Sequence, residues 1–191
     1  MAADEPESPA WQHGGIKVVV ALLDAGVAAA ESAAGALWNL SNATNEDAIR
    51  EAGGIPPLVA LLGAADSAAA GEAAGALMSL SVNVTNMDAI REAGGIAPLV
   101  ALLGAGADSE AAGNAAGALM NLAVNATNKD VIREAGGIAP LVALLGAGAD
   151  SEAAGNAAGA LMNLAVNATN KDVIREAGGI APLVALLGAG A

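Results

Sequence analysis

The chain contains no cysteine, phenylalanine or tyrosine, and only two tryptophans in 191 residues. Without cysteine there are no disulfides, no thiolate zinc ligands and no cysteine nucleophiles. The one histidine, His13, stands at the edge of an acidic N-terminal segment, far from any cluster. Positive charge is scarce as well: 7 Lys and Arg face 20 Asp and Glu, a net charge of −13. Such a chain repels a phosphate backbone, and it has no basic stripe with interleaved aromatics, so no nucleic-acid partner is expected. A basic or neutral partner is electrostatically favoured. Long hydrophobic runs are also missing. "GIAPLVALLGAGA" is interrupted by Pro and bounded by Gly, well short of the roughly 20 apolar residues that cross a bilayer, so no membrane insertion is expected. The opening "MAADEPESPAWQH" is acidic and Pro-rich, unlike a secretory signal or an Arg-rich transit peptide. The expected location is cytoplasmic, with the nucleus as the alternative.

The chain is 55% hydrophobic, and the apolar mass is Ala, Leu, Val and Ile, the composition of thin, closely packed helices. Gly-Gly-Ile recurs from Gly14, Gly53, Gly94, Gly136 and Gly178, at spacings of 39, 41, 42 and 42 by subtraction, and residues 94–135 and 136–177 are identical throughout. A period near forty marks a solenoid, in which each unit buries its apolar face only by stacking on its neighbours. Residues 1–12 read as a flexible acidic tail, with Trp11 folding back over the first unit. Units fall near 14–52, 53–93, 94–135 and 136–177, with a partial fifth at 178–191.

Punctuation divides each unit into three helices. "NKDVIREA", 128–135, is capped by Thr127 or Asn128, carries Asp130 at its positive end, and stops at Gly136–Gly137. "APLVALL", 139–145, holds Pro140 in its first turn, where a missing N–H costs nothing. The longest helix starts from Asp150–Ser151–Glu152 and runs through Val166, with Ala157, Ala158, Leu161 and Leu164 as its apolar stripe. Leu141, Leu144 and Leu145 point inward from the second helix.

The combination "NKDVIREAGGIAPLVALLG…AAGALMNLA", repeated over residues 13–191, resembles armadillo repeats, with plant-type armadillo proteins nearest in character and β-catenin and importin-α more distant. The resemblance implies an all-α fold, a right-handed α-solenoid (the armadillo superhelix) of about four three-helix repeats plus an incomplete fifth. It also implies that the third helices line a concave groove where a ladder of asparagines bonds the backbone of an extended peptide. Asn39, Asn121 and Asn163 match the ladder position, and Ser79 departs from it.

The residues support this face independently. Steps of 4, 3 and 4 backward from Asn121 give Gly117, Asn114 and Glu110, and from Asn163 they give Gly159, Asn156 and Glu152; the second unit places Glu72 on the same line. A primary amide offers a donor and an acceptor, so it can hold a peptide backbone whatever side chains follow. Glu72, Glu110 and Glu152, with Asn114 and Asn156, bias the choice toward basic or polar segments. Importin-type grooves place Trp four residues before the Asn; here Gly35, Gly75, Gly117 and Gly159 stand there, so capture of nuclear-import signals is not expected. Trp38, Met78, Met120 and Met162, one residue before each ladder position, read as packing residues. Mid-helix glycine costs up to about 1 kcal/mol. Gly113, Gly117, Gly155 and Gly159 therefore have two readings: close approach of a ligand backbone at Gly117 and Gly159, or tight helix–helix contact, the commoner case.

Other signals weigh less. "NAT" at Asn42, Asn125 and Asn167, and "NVT" at Asn83, fit glycosylation sites but read better as helix-end turn chemistry. "GAGADSEAAG" lacks the third glycine and the preceding strand of a phosphate loop. Asp88, Asp130 and Asp172 sit at helix starts, and Glu92, Glu134 and Glu176 adjoin arginines, so no acid–base pair, metal, cofactor or enzymatic activity is expected. A protein–protein interaction module that binds an extended peptide is the leading expectation. The alternatives are the substrate-recruiting repeats of a ubiquitin ligase, and a structural, self-assembling or engineered consensus scaffold without a natural ligand. Leu183, Val184, Leu186 and Leu187 should leave an apolar face at the C-terminal end; a fragment of a longer array is the expectation there, with self-association through that face as the second reading.

Overall fold

A computed structural model describes residues 10–64 and 67–188, with side chains from Gly14 onward except at position 67. The expected tail therefore lies mostly outside the described residues, as do the side chains of Trp11 and His13. Within the description, the first helix already begins at Ala10, inside the stretch 1–12.

The described residues fold into helices throughout: α1 (Ala10–Leu22), α2 (Val27–Leu40), α3 (Glu46–Glu51), α4 (Ile55–Leu61), α5 (Ser67–Leu80), α6 (Val84–Glu92), α7 (Ile96–Leu102), α8 (Glu110–Leu122), α9 (Ala126–Glu134), α10 (Ile138–Leu144), α11 (Glu152–Leu164), α12 (Ala168–Glu176) and α13 (Ile180–Gly188). None of them is long and apolar enough to cross a membrane. Short, Pro-started and long helices alternate as the punctuation requires, in an α-solenoid.

Gly136 supplies the sharp turn between α9 and α10 at φ +75°, and Gly53, Gly94 and Gly178 repeat it at φ +76° to +78°. That left-handed conformation strains any residue with a Cβ. Gly137 N–H then closes back on the Ile132 carbonyl at 2.9 Å. The cap of α9 differs from expectation. Asn125 caps it, with its side-chain oxygen accepting from Thr127 N–H at 2.9 Å and Asn128 N–H at 3.3 Å. Asn83 does the same for α6. The Asn of each "NAT" or "NVT" in these units therefore starts a helix, because it can reach two orphan N–H groups that a residue inside the helix cannot. The second helix is also shifted: α10 starts one residue early and tightens into a 3₁₀ turn at Leu145–Ala147. Similarly, α11 ends at Leu164 rather than Val166.

One continuous apolar core runs the length of the stack. Leu37, Leu77, Leu119 and Leu161 from the third helices occupy it together with Leu58, Leu99 and Leu141 from the Pro-started ones, all at most 1% exposed. The third helices pack side by side, α2 on α5 on α8 on α11. On the opposite edge the short helices are joined by polar contacts. Asn125 Nδ2 reaches Asp88 at 3.4 Å and Asn167 Nδ2 reaches Asp130 at 3.4 Å, while Arg50 donates to Asn86 Oδ1 at 3.0 Å. These short helices thus hold their neighbours in register from both sides.

Candidate functional site

The face expected to bind is the row of third helices, and the ladder asparagines lie along it, but Asn121 and Asn163 each first serve the neighbouring helix. The last four carbonyls of a helix lack an N–H partner in the next turn. In α5 the backbone closes on Leu77, Ser79 and Leu80 carbonyls and leaves Met78 to others. Ser81 Oγ donates to it at 2.7 Å, and Asn121 Nδ2 adds a second bond at 3.0 Å while touching Ser81 Oγ at 3.3 Å. One unit on, Asn163 Nδ2 donates to the Met120 carbonyl at 2.9 Å. A second row runs two turns earlier: Asn114 Nδ2 donates to Gly71 O at 3.2 Å, and Asn156 Nδ2 to Gly113 O at 3.1 Å. All four of these bonds span 43 residues, so two amides staple each of these third helices to the one before.

At Ser79, the departure from the ladder, the equivalent carbonyl of the preceding unit, Trp38 O, is met by the Ser41 N–H of its own unit at 3.1 Å. Asn39 has no third helix before it; it is exposed, and no bond holds its amide within the described residues. The remaining capacity therefore differs along the row. Asn39 keeps its whole amide, Asn163 keeps one N–H and Oδ1, and Asn121, whose nitrogen has two acceptors, keeps Oδ1. Asn114 is buried at 6% exposure beneath α11, so it acts between helices, while Asn156 is half-buried.

At Gly75, Gly117 and Gly159 the missing side chain makes room for packing. A Cβ on Gly75 would lie 2.5 Å from the Trp38 ring, and one on Gly117 or Gly159 would overlap the sulfur of Met78 or Met120. The space over Gly117 and Gly159, for which a ligand backbone was the second of two readings, is filled by the methionine of the preceding unit. No such pressure exists at Gly155, where a Cβ meets nothing within 4 Å. Sequence reading missed this knob-and-slot relation, although the regular pairing of a large residue before each Asn with Gly four residues before the next Asn carries it.

Carboxylates line the start of the row. A cleft of about 250 Å³ between α5 and α8 is bordered by Gly71, Glu72, Ser109 and Glu110, and a second of about 250 Å³ between α8 and α11 by Glu110, Asn114, Ser151 and Glu152. Burial, then the charges of Glu110 and Glu31, push the Glu72 carboxyl above its ordinary value. Well below the ordinary carboxylate range Glu72 is neutral in both folded and unfolded chains. As pH rises the unfolded chain ionises first, so folding loses stability through the interval up to the raised value. Glu72→Gln is therefore expected to be more stable than the parent at neutral pH and equal to it near about pH 3, as urea midpoints at the two pH values would show.

A row of stapled long helices, flanked by Pro-started and short ones at a period near forty, defines a helical-repeat solenoid protein. The armadillo/beta-catenin-like repeat family matches residues 42–82, 86–124 and 125–166, and the chain belongs to that family. Among solved structures it is similar to an engineered protein at 37% identity and TM-score 0.84, covering 95% of this chain and 77% of that one. It is also similar to computationally designed armadillo repeat proteins for modular peptide recognition, at 32% identity, TM-score 0.81, and 90% and 74% coverage. A designed armadillo repeat protein in complex with the peptide (KR)4 matches at 32% identity, TM-score 0.79, and 88% and 72% coverage. No curated protein matches the chain.

Proposed function

We propose that this chain is a protein-interaction module whose third-helix row binds an extended, basic segment of a partner protein. The observation that carries the reading is the alignment of Glu72, Glu110 and Glu152 along the same row as the amides of Asn39, Asn121 and Asn163. The carboxylates supply attraction for Lys and Arg side chains, and the unspent amide edges accept and donate to a peptide backbone. The designed relative that holds (KR)4 supports this choice of ligand class. A basic peptide also offsets the repulsion from Glu110 and Glu31 that adds to burial in raising the Glu72 carboxyl.

Fluorescence anisotropy with labelled (Lys-Arg)4, against an all-Glu octamer, tests the proposal. The basic peptide is expected to bind, more weakly as salt rises, and the acidic one not to bind. Asn163→Ala should weaken binding by roughly two- to twelvefold, the worth of one ordinary hydrogen bond. Equal binding of the two peptides, or an Asn163→Ala variant with unaltered affinity, would count against it.

A further inference from the structure

One valine per unit stands uncovered beside the ladder. Val82, Val124 and Val166 follow Ser79, Asn121 and Asn163 by three residues in successive units. Val82 and Val124 are each followed by a complete unit, yet they are 64% and 61% exposed. The stacking that buries Leu80 and Leu122 completely leaves them open. Turns favour Gly, Asn, Asp and Ser, so a β-branched apolar residue has no local advantage there. A lone exposed valine is ordinary; one in the same place in each of three stacked units makes a stripe.

The backbone fixes where that stripe lies. Val82 N–H bonds the Ser79 carbonyl at 3.4 Å, Val124 N–H the Asn121 carbonyl at 3.1 Å, and Val166 N–H the Asn163 carbonyl at 3.4 Å. Each bond reaches three residues back, the 3₁₀ spacing, in which side chains three apart eclipse. The valines therefore stand in line with the ladder residues, about 5 Å further along the helix axis.

The ladder thus runs between two unlike flanks. Toward the helix starts lie the carboxylates of Glu72, Glu110 and Glu152. Toward the helix ends lie the valines. There Lys129 Nζ donates to the Val124 carbonyl at 3.0 Å, and the nearby Asp88 carboxylate is engaged by Arg91 and Asn125. That flank offers apolar surface and disfavours a second cation. Successive side chains of an extended segment point to opposite sides. With its backbone along the amides, one alternate set faces the carboxylates and the other faces the valines.

We propose, building on the peptide-binding row above, that the site selects segments in which basic residues alternate with aliphatic ones. The basic set is held on the carboxylate flank and the aliphatic set against Val82, Val124 and Val166. A uniformly basic segment satisfies one flank only.

Fluorescence anisotropy at fixed ionic strength compares labelled (Lys-Val)4 with (Lys-Thr)4, which has the same charge and side-chain shape. A block peptide of four lysines followed by four valines keeps the composition without the alternation. (Lys-Val)4 is expected to bind about tenfold more tightly than either, less than full burial of three methyl groups would give. In the double variant Val82→Thr, Val124→Thr, altered at two exposed positions, the preference over (Lys-Thr)4 should fall to about twofold, the share left to Val166. Its affinity for (Lys-Thr)4 and its urea midpoint should match the parent. Equal binding of (Lys-Val)4 and (Lys-Thr)4, equal binding of the block peptide, or a full preference surviving in the double variant overturns the alternation and leaves the peptide-binding row standing. Failure of all three peptides to bind removes the row itself, and the alternation with it.

Discussion

Gly75→Leu is expected to lower stability by about 1–3 kcal/mol, the range for overfilling a packed interior. The position is buried in α5, and its missing Cβ is the space into which the flat face of Trp38 fits, 2.5 Å from where that atom would stand. An indole ring cannot bend away as a methionine thioether can, so either Trp38 leaves its place or α2 and α5 separate. The gain of about 1 kcal/mol from replacing glycine in a helix does not offset this. Gly155→Ala makes the contrast, since nothing lies within 4 Å of the new Cβ. It should be stabilising by up to about 1 kcal/mol. Thermal unfolding of the two variants beside the parent separates the effects. If both move stability upward, the knob-and-slot packing between units is wrong.

Leu122→Ala should cost about 2–5 kcal/mol, the largest single effect expected here. Leu122 closes α8 and is 0% exposed, as are its counterparts Leu80 and Leu164. Units in a solenoid contact only their neighbours, so a cavity at the middle of the stack weakens both interfaces that meet there. The loss is a large fraction of the roughly 5–15 kcal/mol that keeps a domain folded. Urea unfolding followed by far-ultraviolet circular dichroism should show an earlier midpoint. Tryptophan emission, which reports only Trp11 and Trp38 near the start of the chain, should unfold later than the bulk of the helices. Coincident, unshifted transitions would contradict a stack held together by nearest-neighbour burial.

The fold was largely legible because its signals are local and repeated. Gly-Gly ends, Pro starts and Leu spacing name three helices per unit, and only the ends moved, where Asn125 takes the cap expected at Thr127 or Asn128. The candidate row was legible as a face, since offsets of three and four fix which residues share it. What those residues touch was not. The carbonyl left open at Met78 depends on how α5 closes its last turn, and the filling of Gly117 depends on a side chain 39 positions away; neither follows from a single unit's pattern. The asparagines therefore have a structural duty that the family resemblance did not imply, and only part of each amide is left for a ligand.

Side-chain amide NMR signals observed during titration with (Lys-Arg)4 test this division of labour most directly. The Asn39 and Asn163 signals are expected to move with the carboxylates of Glu72, Glu110 and Glu152, while the stapled nitrogens of Asn114 and Asn121 keep their slow exchange with solvent. Perturbations confined to the short helices α6, α9 and α12, with the third-helix row silent, would contradict the account.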